Sequence, residues 1–239
     1  MNRSLAVAVF ALTIFAVGCT HRAEPRWLVR ALPGSYPEIV YFVPTDAKAI
    51  AITIDDGLDP ETTPIILDVL AAHDVQATFF LVSDSIAGNE ALLYRMLEEG
   101  HEIGHHMTED VTTVALSDED LSDRFLEAAE ALEQHTPILW FRAGAGRYND
   151  QVLKLTRERG YRIAMASVIP LDTIISSPRS MATYINWMVE PGSIVVLHDV
   201  KDRGHRTAAT LDRLIPILHD RGFMVTSLGQ LDALAEPAS

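Results

Sequence analysis

Ala49-Ile50-Ala51-Ile52-Thr53-Ile54-Asp55-Asp56-Gly57 is the stretch that decides the fold and points to the chemistry. Its apolar first part predicts a buried strand. Two carboxylates follow at the end of the strand. A buried site tolerates such groups only when they are paired or bind a metal ion. Gly57 permits a tight turn, which can bring both side chains to one ligand. An isolated Asp-Asp-Gly is more often a plain strand end, so the rest of the chain must decide.

Strand-like and helix-like segments alternate along the chain after residue 38. Strands are predicted at 39–43, 49–54, 77–82, 138–141, 162–166, 193–197 and 223–226. Helices are predicted at 60–73, 90–99, 118–135, 150–159, 179–189 and 207–220. Ser117 and Asn149 are predicted N-caps, and Gly160 is a predicted helix end. This alternation predicts parallel βαβ units in one α/β domain, either barrel-like or doubly wound.

Ionisable residues follow several of the predicted strands. Asp55 and Asp56 follow the second strand, Arg142 follows 138–141, Asp172 follows 162–166, and His198 follows 193–197. In both candidate architectures the chemistry lies at the carboxyl ends of the strands. These residues are therefore expected to share one site.

The bulk composition limits the partners. The chain has 239 residues, 48% of them hydrophobic, and a formal net charge of -14. Such a chain forms one or two domains with a sizeable core. It contains no cluster of Lys and Arg that would form a phosphate-binding face, so nucleic acid is not an expected partner.

Residues 1–19 are predicted to be an export signal. Arg3 precedes the apolar run Leu5 to Val17, which is shorter than a usual membrane span. The single cysteine, Cys19, follows Ala16-Val17-Gly18, which resembles a bacterial lipobox without its usual Leu. We expect an exported cell-envelope protein anchored to a membrane through a lipid on Cys19, or an ordinary signal peptide with an incidental cysteine. Residues 20–38 are predicted to be a tether and N-terminal wrap, followed by a catalytic domain at 39–235.

Together, three groups of segments resemble the polysaccharide deacetylase superfamily (carbohydrate esterase family four, the nodulation-deacetylase-like domain). They are Thr53 to Gly57, the segments 63–70 and 75–80, and Ile194 to Asp199. The resemblance implies a distorted (β/α) barrel of about seven strands. It also implies hydrolysis of an acetyl group, usually on an N-acetylated sugar, at one divalent metal ion. Asp55 would be the general base, Asp56 a metal ligand and His198 the general acid.

The second family motif departs from its usual pattern of two histidines four residues apart. Alignment on Glu102-Ile103-Gly104 places His106 at the first ligand position and Asp110 at the second. Their spacing would bring both to one face of a helical turn. Zinc is the first expectation, but the oxygen-rich ligand set lets manganese, iron, cobalt or nickel compete. A competing register pairs His105 with Glu109, and in a third reading metal binding is lost.

Two further motifs are only partly matched. In the stretch 141–148, Arg142 stands where the family orients its base, while Ala143 and Gly144 replace prolines, which predicts a more flexible loop. Asp172 is the expected partner of His198, without the usual neighbouring Trp. The predicted substrate contacts are Leu197, Gly146 and Tyr148.

Two features outside these motifs are assigned structural roles. Trp140 and Trp187 have the chemistry for stacking on sugars, but isolated tryptophans in an apolar context usually belong to the core. Arg203-Gly204-His205-Arg206-Thr207 could line the substrate cleft or cap a helix that starts near Thr207, and the structural role is favoured.

The function expected from the sequence is metal-dependent removal of acetyl groups from a carbohydrate polymer, such as a chitin-like glycan or peptidoglycan. One alternative is a non-catalytic glycan-binding protein of the envelope on the same fold. Another is a hydrolase of a different amide or of an acetyl ester. No protein partner can be inferred.

Overall fold

One parallel sheet with helices around it makes up the described part of the chain, which in this computed structural model comprises residues 38–170, 172 and 175–235. The strands are β1 Ile39–Val40, β2 Ala49–Asp56, β3 Thr78–Leu81, β4 Glu102–His105, β5 Trp140–Phe141, β6 Arg162–Ala164, β7 Ile194–His198 and β8 Met224–Thr226. The helices are α1 Thr63–Ala72, α2 Glu90–Glu98, α3 Asp118–Glu133, α4 Asp150–Arg159, α5 Pro178–Met188, α6 Lys201–Asp220 and α7 Leu228–Asp232.

The sheet curls back on itself. Its order is β1-β6-β5-β4-β3-β2-β7, with β8 paired to β2, and the ladders between these strands are parallel. Two isolated bridges join the two ends of this order. They connect Val168, after β6, to Val195 in β7, and Phe42, after β1, to Ser193, just before β7. The prediction of one α/β domain with a distorted barrel is confirmed.

Strand β2 lies at the centre of the sheet. It pairs with β3, β7 and β8, and its residues from Ala49 to Ile54 have no exposed surface. A strand covered on both faces needs a continuous apolar sequence, which explains the run that precedes Asp55. The register sets Asp55 opposite His198 and thereby brings two distant motifs together.

Strand β4 was not predicted. Its sequence, Glu102-Ile103-Gly104-His105, lacks a run of β-branched residues, and both Glu and Gly are uncommon in strands. Tertiary contacts account for both residues. Glu102 accepts hydrogen bonds from Thr78 and Trp140 at 2.6 and 3.0 Å, and a Cβ on Gly104 would lie 2.5 Å from the Phe80 ring.

The predicted helix caps are present. The side chain of Ser117 accepts from the Asp120 amide, that of Asn149 accepts from the Val152 amide, and Gly160 is left-handed at φ 72°. The predicted start of α6 near Thr207 is wrong, because the helix begins at Lys201, whose amide donates to Asp59 Oδ2 at 3.1 Å.

Among the described residues, one tryptophan is exposed at the surface. Trp140 is buried as expected, but Trp187 is 59% exposed on α5, so the assignment of Trp187 to the core is wrong. In the part of the chain that the structure describes, no helix has the length and apolar character needed to span a membrane. The predicted signal segment and Cys19 lie outside the described residues.

Candidate active site

Residues at the carboxyl ends of β2, β4, β5 and β7 form the candidate site. Asp55 and Asp56 end β2, His106 follows β4, Arg142 follows β5 and His198 ends β7. Because these strands are parallel members of one sheet, their carboxyl ends lie at the same edge of the sheet. The structure therefore brings together residues that are separated by as many as 143 positions in the sequence, as between Asp55 and His198.

Asp55 forms a buried ion pair with Arg142. The guanidinium Nη1 donates to Asp55 Oδ1 at 2.6 Å, and the two side chains are only 7% and 5% exposed. Removing either partner would leave the other charge buried and unpaired. The pair therefore fixes the carboxylate of Asp55 in one orientation.

Arg142 is itself held by several groups. Its Nη1 also donates to Thr53 Oγ1 at 2.7 Å, and its Nε donates to the Ala164 carbonyl at 3.1 Å. Its guanidinium carbon lies 4.0 Å from the centre of the Phe80 ring. Residues of the surrounding sheet thus hold Arg142 in place, and Arg142 in turn orients Asp55.

Asp56 is bent out of the regular strand. Its φ of 79° lies in the left-handed region, where a non-glycine residue is strained and is often found at functional sites. Its side chain is 8% exposed, and its Oδ2 atom is buried without a hydrogen-bond partner. Burial raises the pKa of Asp56, and the attraction of His106 and His198 offsets only part of that rise. A buried carboxylate oxygen without a hydrogen-bond partner is well suited to be the ligand of a cation.

His106 and Asp110 supply the remaining atoms of a candidate cation site. The Nδ1 atom of His106 lies 2.8 Å from the Arg142 carbonyl, so its proton is donated there and the Nε2 lone pair faces Asp56 Oδ1 at 3.6 Å. One ligand atom each from Asp56, His106 and Asp110 lies within 4.8 Å of the others. Two carboxylates and an imidazole with a fixed tautomer fit a divalent ion.

The predicted helical turn through the second motif is wrong. The chain leaves β4 in irregular backbone, and Met107 has a left-handed φ of 71°. Its amide donates to Nδ1 of His105, whose Nε2 lies 3.0 Å from the Phe125 carbonyl. Burial lowers the pKa of His105 to about 4. Since both nitrogens of this buried, neutral ring already have backbone partners, the His105–Glu109 register is not supported.

His198 is paired with Asp172 on the other side of the site. Its Nδ1 lies 2.6 Å from Asp172 Oδ2. Burial lowers the pKa of His198, but the hydrogen bond that His198 donates to Asp172 and the charges of Asp55, Asp172 and Asp56 outweigh this effect, so the pKa lies above its ordinary value. The sequence-predicted pairing is present in the structure.

The loop after Arg142 lies against the loop that carries Asp110. A Cβ on Gly144 would come within 1.8 Å of the Val111 carbonyl, so only glycine allows this approach. Thr113 Oγ1 donates to the Arg147 carbonyl at 2.6 Å. Gly144 therefore serves close packing between the two loops, which is a different role from the flexibility predicted for it.

The predicted substrate contacts have different surroundings. Gly146 and Tyr148 are partly exposed, and the Tyr148 hydroxyl lies 3.4 Å from that of Tyr41. Leu197 has no exposed surface, so its side chain would have to shift to touch a substrate. Contact of all three with a substrate stays a prediction.

Two further residues lie beside the site: Asp199, which was given no role from the sequence, and Arg203, whose stretch was expected to line the substrate cleft or to cap a helix. Asp199 is buried, its amide donates to the Asp55 carbonyl at 2.8 Å, and its carboxylate accepts from the hydroxyls of Thr62 and Thr63. Burial raises the pKa of Asp199 to about 6. Arg203, in the first turn of α6, lies 3.8 Å from Asp56 Oδ2. The adjacency of Asp199 to His198 was a usable signal, whereas the position of Arg203 depends on where α6 starts.

Comparison with known proteins identifies the family. Residues 42–164 match the family model for polysaccharide deacetylase. A peptidoglycan-N-acetylglucosamine deacetylase of Bacillus cereus is 34% identical over 197 residues, which cover 81% of this chain and 92% of that protein. A chitooligosaccharide deacetylase of Sinorhizobium fredii is 36% identical over 199 residues, covering 78% and 93%. The chain belongs to the polysaccharide deacetylase family, and the activity of the named deacetylases is hydrolysis of carbon–nitrogen bonds other than peptide bonds.

Solved structures agree in fold. The Bc1960 peptidoglycan N-acetylglucosamine deacetylase is 25% identical, with a TM-score of 0.77 over 84% of this chain and 95% of that chain. A mutant of BA3943, described as a CE4 family pseudoenzyme with restored enzymatic activity, is 25% identical, with a TM-score of 0.76 over 84% and 74%. The fold therefore occurs in both active and inactive proteins, and the residues of the site must decide the activity.

Proposed function

We propose that this protein is a metal-dependent deacetylase of an N-acetylated glycan, such as peptidoglycan or a chitin-like polymer. The observation that carries the proposal is the Asp56–His106–Asp110 cluster, which lies beside the buried pair Asp55–Arg142 and the partly buried pair His198–Asp172. The relatives named as deacetylases of peptidoglycan and of chitooligosaccharides support this class of substrate.

Asp56, His106 and Asp110 are the proposed ligands of the metal ion. A divalent ion bound there would polarise the acetyl carbonyl and lower the pKa of water in the site. Zinc remains the first expectation, and the second carboxylate, Asp110, is the reason why manganese, cobalt, nickel or iron could compete.

Acid–base chemistry is assigned to these two pairs, Asp55–Arg142 and His198–Asp172. Asp55 accepts a proton from water as the water oxygen bonds to the acetyl carbon, and Arg142 keeps the Asp55 carboxylate oriented. The carbon–nitrogen bond then breaks, and His198 transfers its proton to the departing nitrogen. The products are acetate and a free amine. Asp172 supports this role because its hydrogen bond and charge raise the pKa of His198 and so favour the protonated ring.

The same geometry argues against a pure glycan-binding role. A binding protein has no need for a buried base–arginine pair beside a carboxylate-paired histidine, and each buried charge costs free energy unless it is used or paired. Hydrolysis of another amide or of an acetyl ester would use the same groups, so the substrate must be found by assay.

The decisive experiment measures acetate release from a panel of acetylated glycans, each with several divalent ions. We expect release from an N-acetylglucosamine polymer or oligomer and loss of activity after chelation. Metal binding without acetate release from any amide or ester would instead support the binding role, and release from O-acetyl esters alone would support the esterase.

The N-terminal part of the protein is proposed to deliver the enzyme to its substrate. Residues 1–19 would direct export, a lipid on Cys19 would anchor the chain to a membrane, and residues 20–38 would tether the catalytic domain at 39–235. Relatives that act on peptidoglycan support a location in the cell envelope.

A further inference from the structure

Arg203 is a positively charged residue beside the site that the proposed mechanism leaves unused. It lies in the first turn of α6, and its Nη2 atom is 3.8 Å from Asp56 Oδ2. This separation is too long for a hydrogen bond but short enough for a strong charge–charge interaction. The Arg203 side chain is 28% exposed, so it reaches from the surface to the proposed metal ligand.

The balance of charges around Asp56 depends on Arg203. A divalent ion and Arg142 together would balance the three carboxylates Asp55, Asp56 and Asp110, so the loaded site would have no excess positive charge without Arg203. Before water attacks, Arg142 balances the negative charge of Asp55. During the attack Asp55 takes up a proton, and negative charge develops on the acetyl oxygen. A cation beside Asp56 stabilises that charge more than it stabilises the neutral substrate.

The same cation must oppose metal binding. The attraction between Arg203 and the Asp56 carboxylate is present before and after the metal binds, but the bound metal ion adds a repulsion between two positive charges. This repulsion favours the metal-free protein. We propose, on the basis of the proposed function, that Arg203 lowers the affinity of the site for its metal and stabilises the transition state of deacetylation.

The test is to replace Arg203 with methionine, which keeps much of the side-chain volume and removes the charge. Metal affinity is measured by competition with a chromophoric chelator, and kcat and KM are measured at saturating metal. Arg203→Met should bind metal about 3- to 30-fold more tightly, as expected for the interaction of one charge with a doubly charged ion in a partly exposed site of high dielectric constant. It should lower kcat by about 10- to 100-fold, with a smaller change in KM.

Two further variants separate charge from structure. Arg203→Lys keeps the charge and should retain the wild-type metal affinity to within about threefold. Arg213→Met makes the same change in net charge at an exposed position on α6. That position is about 15 Å further along the helix axis, so neither quantity should change.

The outcomes are distinct. Tighter metal binding combined with a lower kcat in Arg203→Met alone supports the inference, because a merely structural defect would weaken both properties. If wild-type protein binds metal and releases acetate but Arg203→Met leaves the metal affinity unchanged or weakens it, the inference is wrong and the proposed function stands. If kcat stays within about twofold of the wild type, well below the expected range, the inference is also wrong. A wild-type protein that binds no divalent metal overturns both.

Discussion

Replacing Arg142 with methionine would show how strongly the site depends on its buried ion pair. The substitution leaves Asp55, only 7% exposed, without its 2.6 Å partner. It also removes the donors to Thr53 and Ala164. Removing one member of a buried pair typically costs about 3–5 kcal/mol. Methionine can still fill space against Phe80, so we expect about 4 kcal/mol, a large part of the roughly 5–15 kcal/mol that stabilises a domain.

Urea unfolding of the purified variants provides the assay. The double variant Asp55→Asn/Arg142→Met no longer buries an unpaired charge, so it should be more stable than the sum of the single changes predicts, by about 2 kcal/mol. The same m-value in all variants would show that the comparison concerns the folded state. A cost below about 1 kcal/mol for Arg142→Met, or a coupling energy near zero, would refute the buried pair.

Three other substitutions test the ligands, the acid and the anchor. Asp110→Ala should sharply reduce metal occupancy, measured by elemental analysis, whereas the neighbouring exposed change Glu109→Ala should not; equal losses would reject the ligand assignment. Asp172→Asn should lower the pKa of His198 and move the alkaline limb of the pH–rate profile to lower pH, and an unmoved limb would speak against His198 as the acid. Cys19→Ser should release the protein from membrane fractions or block its processing, and a soluble wild-type protein without lipid by mass spectrometry would contradict the anchor.

Local signals in the sequence predicted much of the fold. The buried strand β2 is apolar along its length because both of its faces are covered, and the caps Ser117 and Asn149 are local hydrogen-bonding patterns. Such features depend on nearby residues and can be read directly. The proximity of Asp55 and His198 was predicted because both residues lie at the carboxyl ends of predicted parallel strands.

The errors occurred where distant contacts override local propensity. Gly104 belongs to a strand because the Phe80 ring occupies the space of its missing side chain. Helix α6 starts at Lys201 because Asp59, far away in sequence, accepts a hydrogen bond from the Lys201 amide. That early start also places Arg203 beside Asp56, a contact that no local pattern contains.

Acetate release by Asp55→Asn at full metal occupancy tests the central claim most directly. Asp56 is the proposed ligand and Asp55 the proposed base, so the variant should keep its metal while losing most of its activity. Loss of a general base lowers the rate by roughly 100- to 10,000-fold. The account predicts wild-type metal content with a rate reduced by at least the lower factor, on the glycan that the wild-type enzyme deacetylates fastest. A metal-loaded variant that still releases acetate within about threefold of the wild-type rate, far outside that range, would contradict the mechanism.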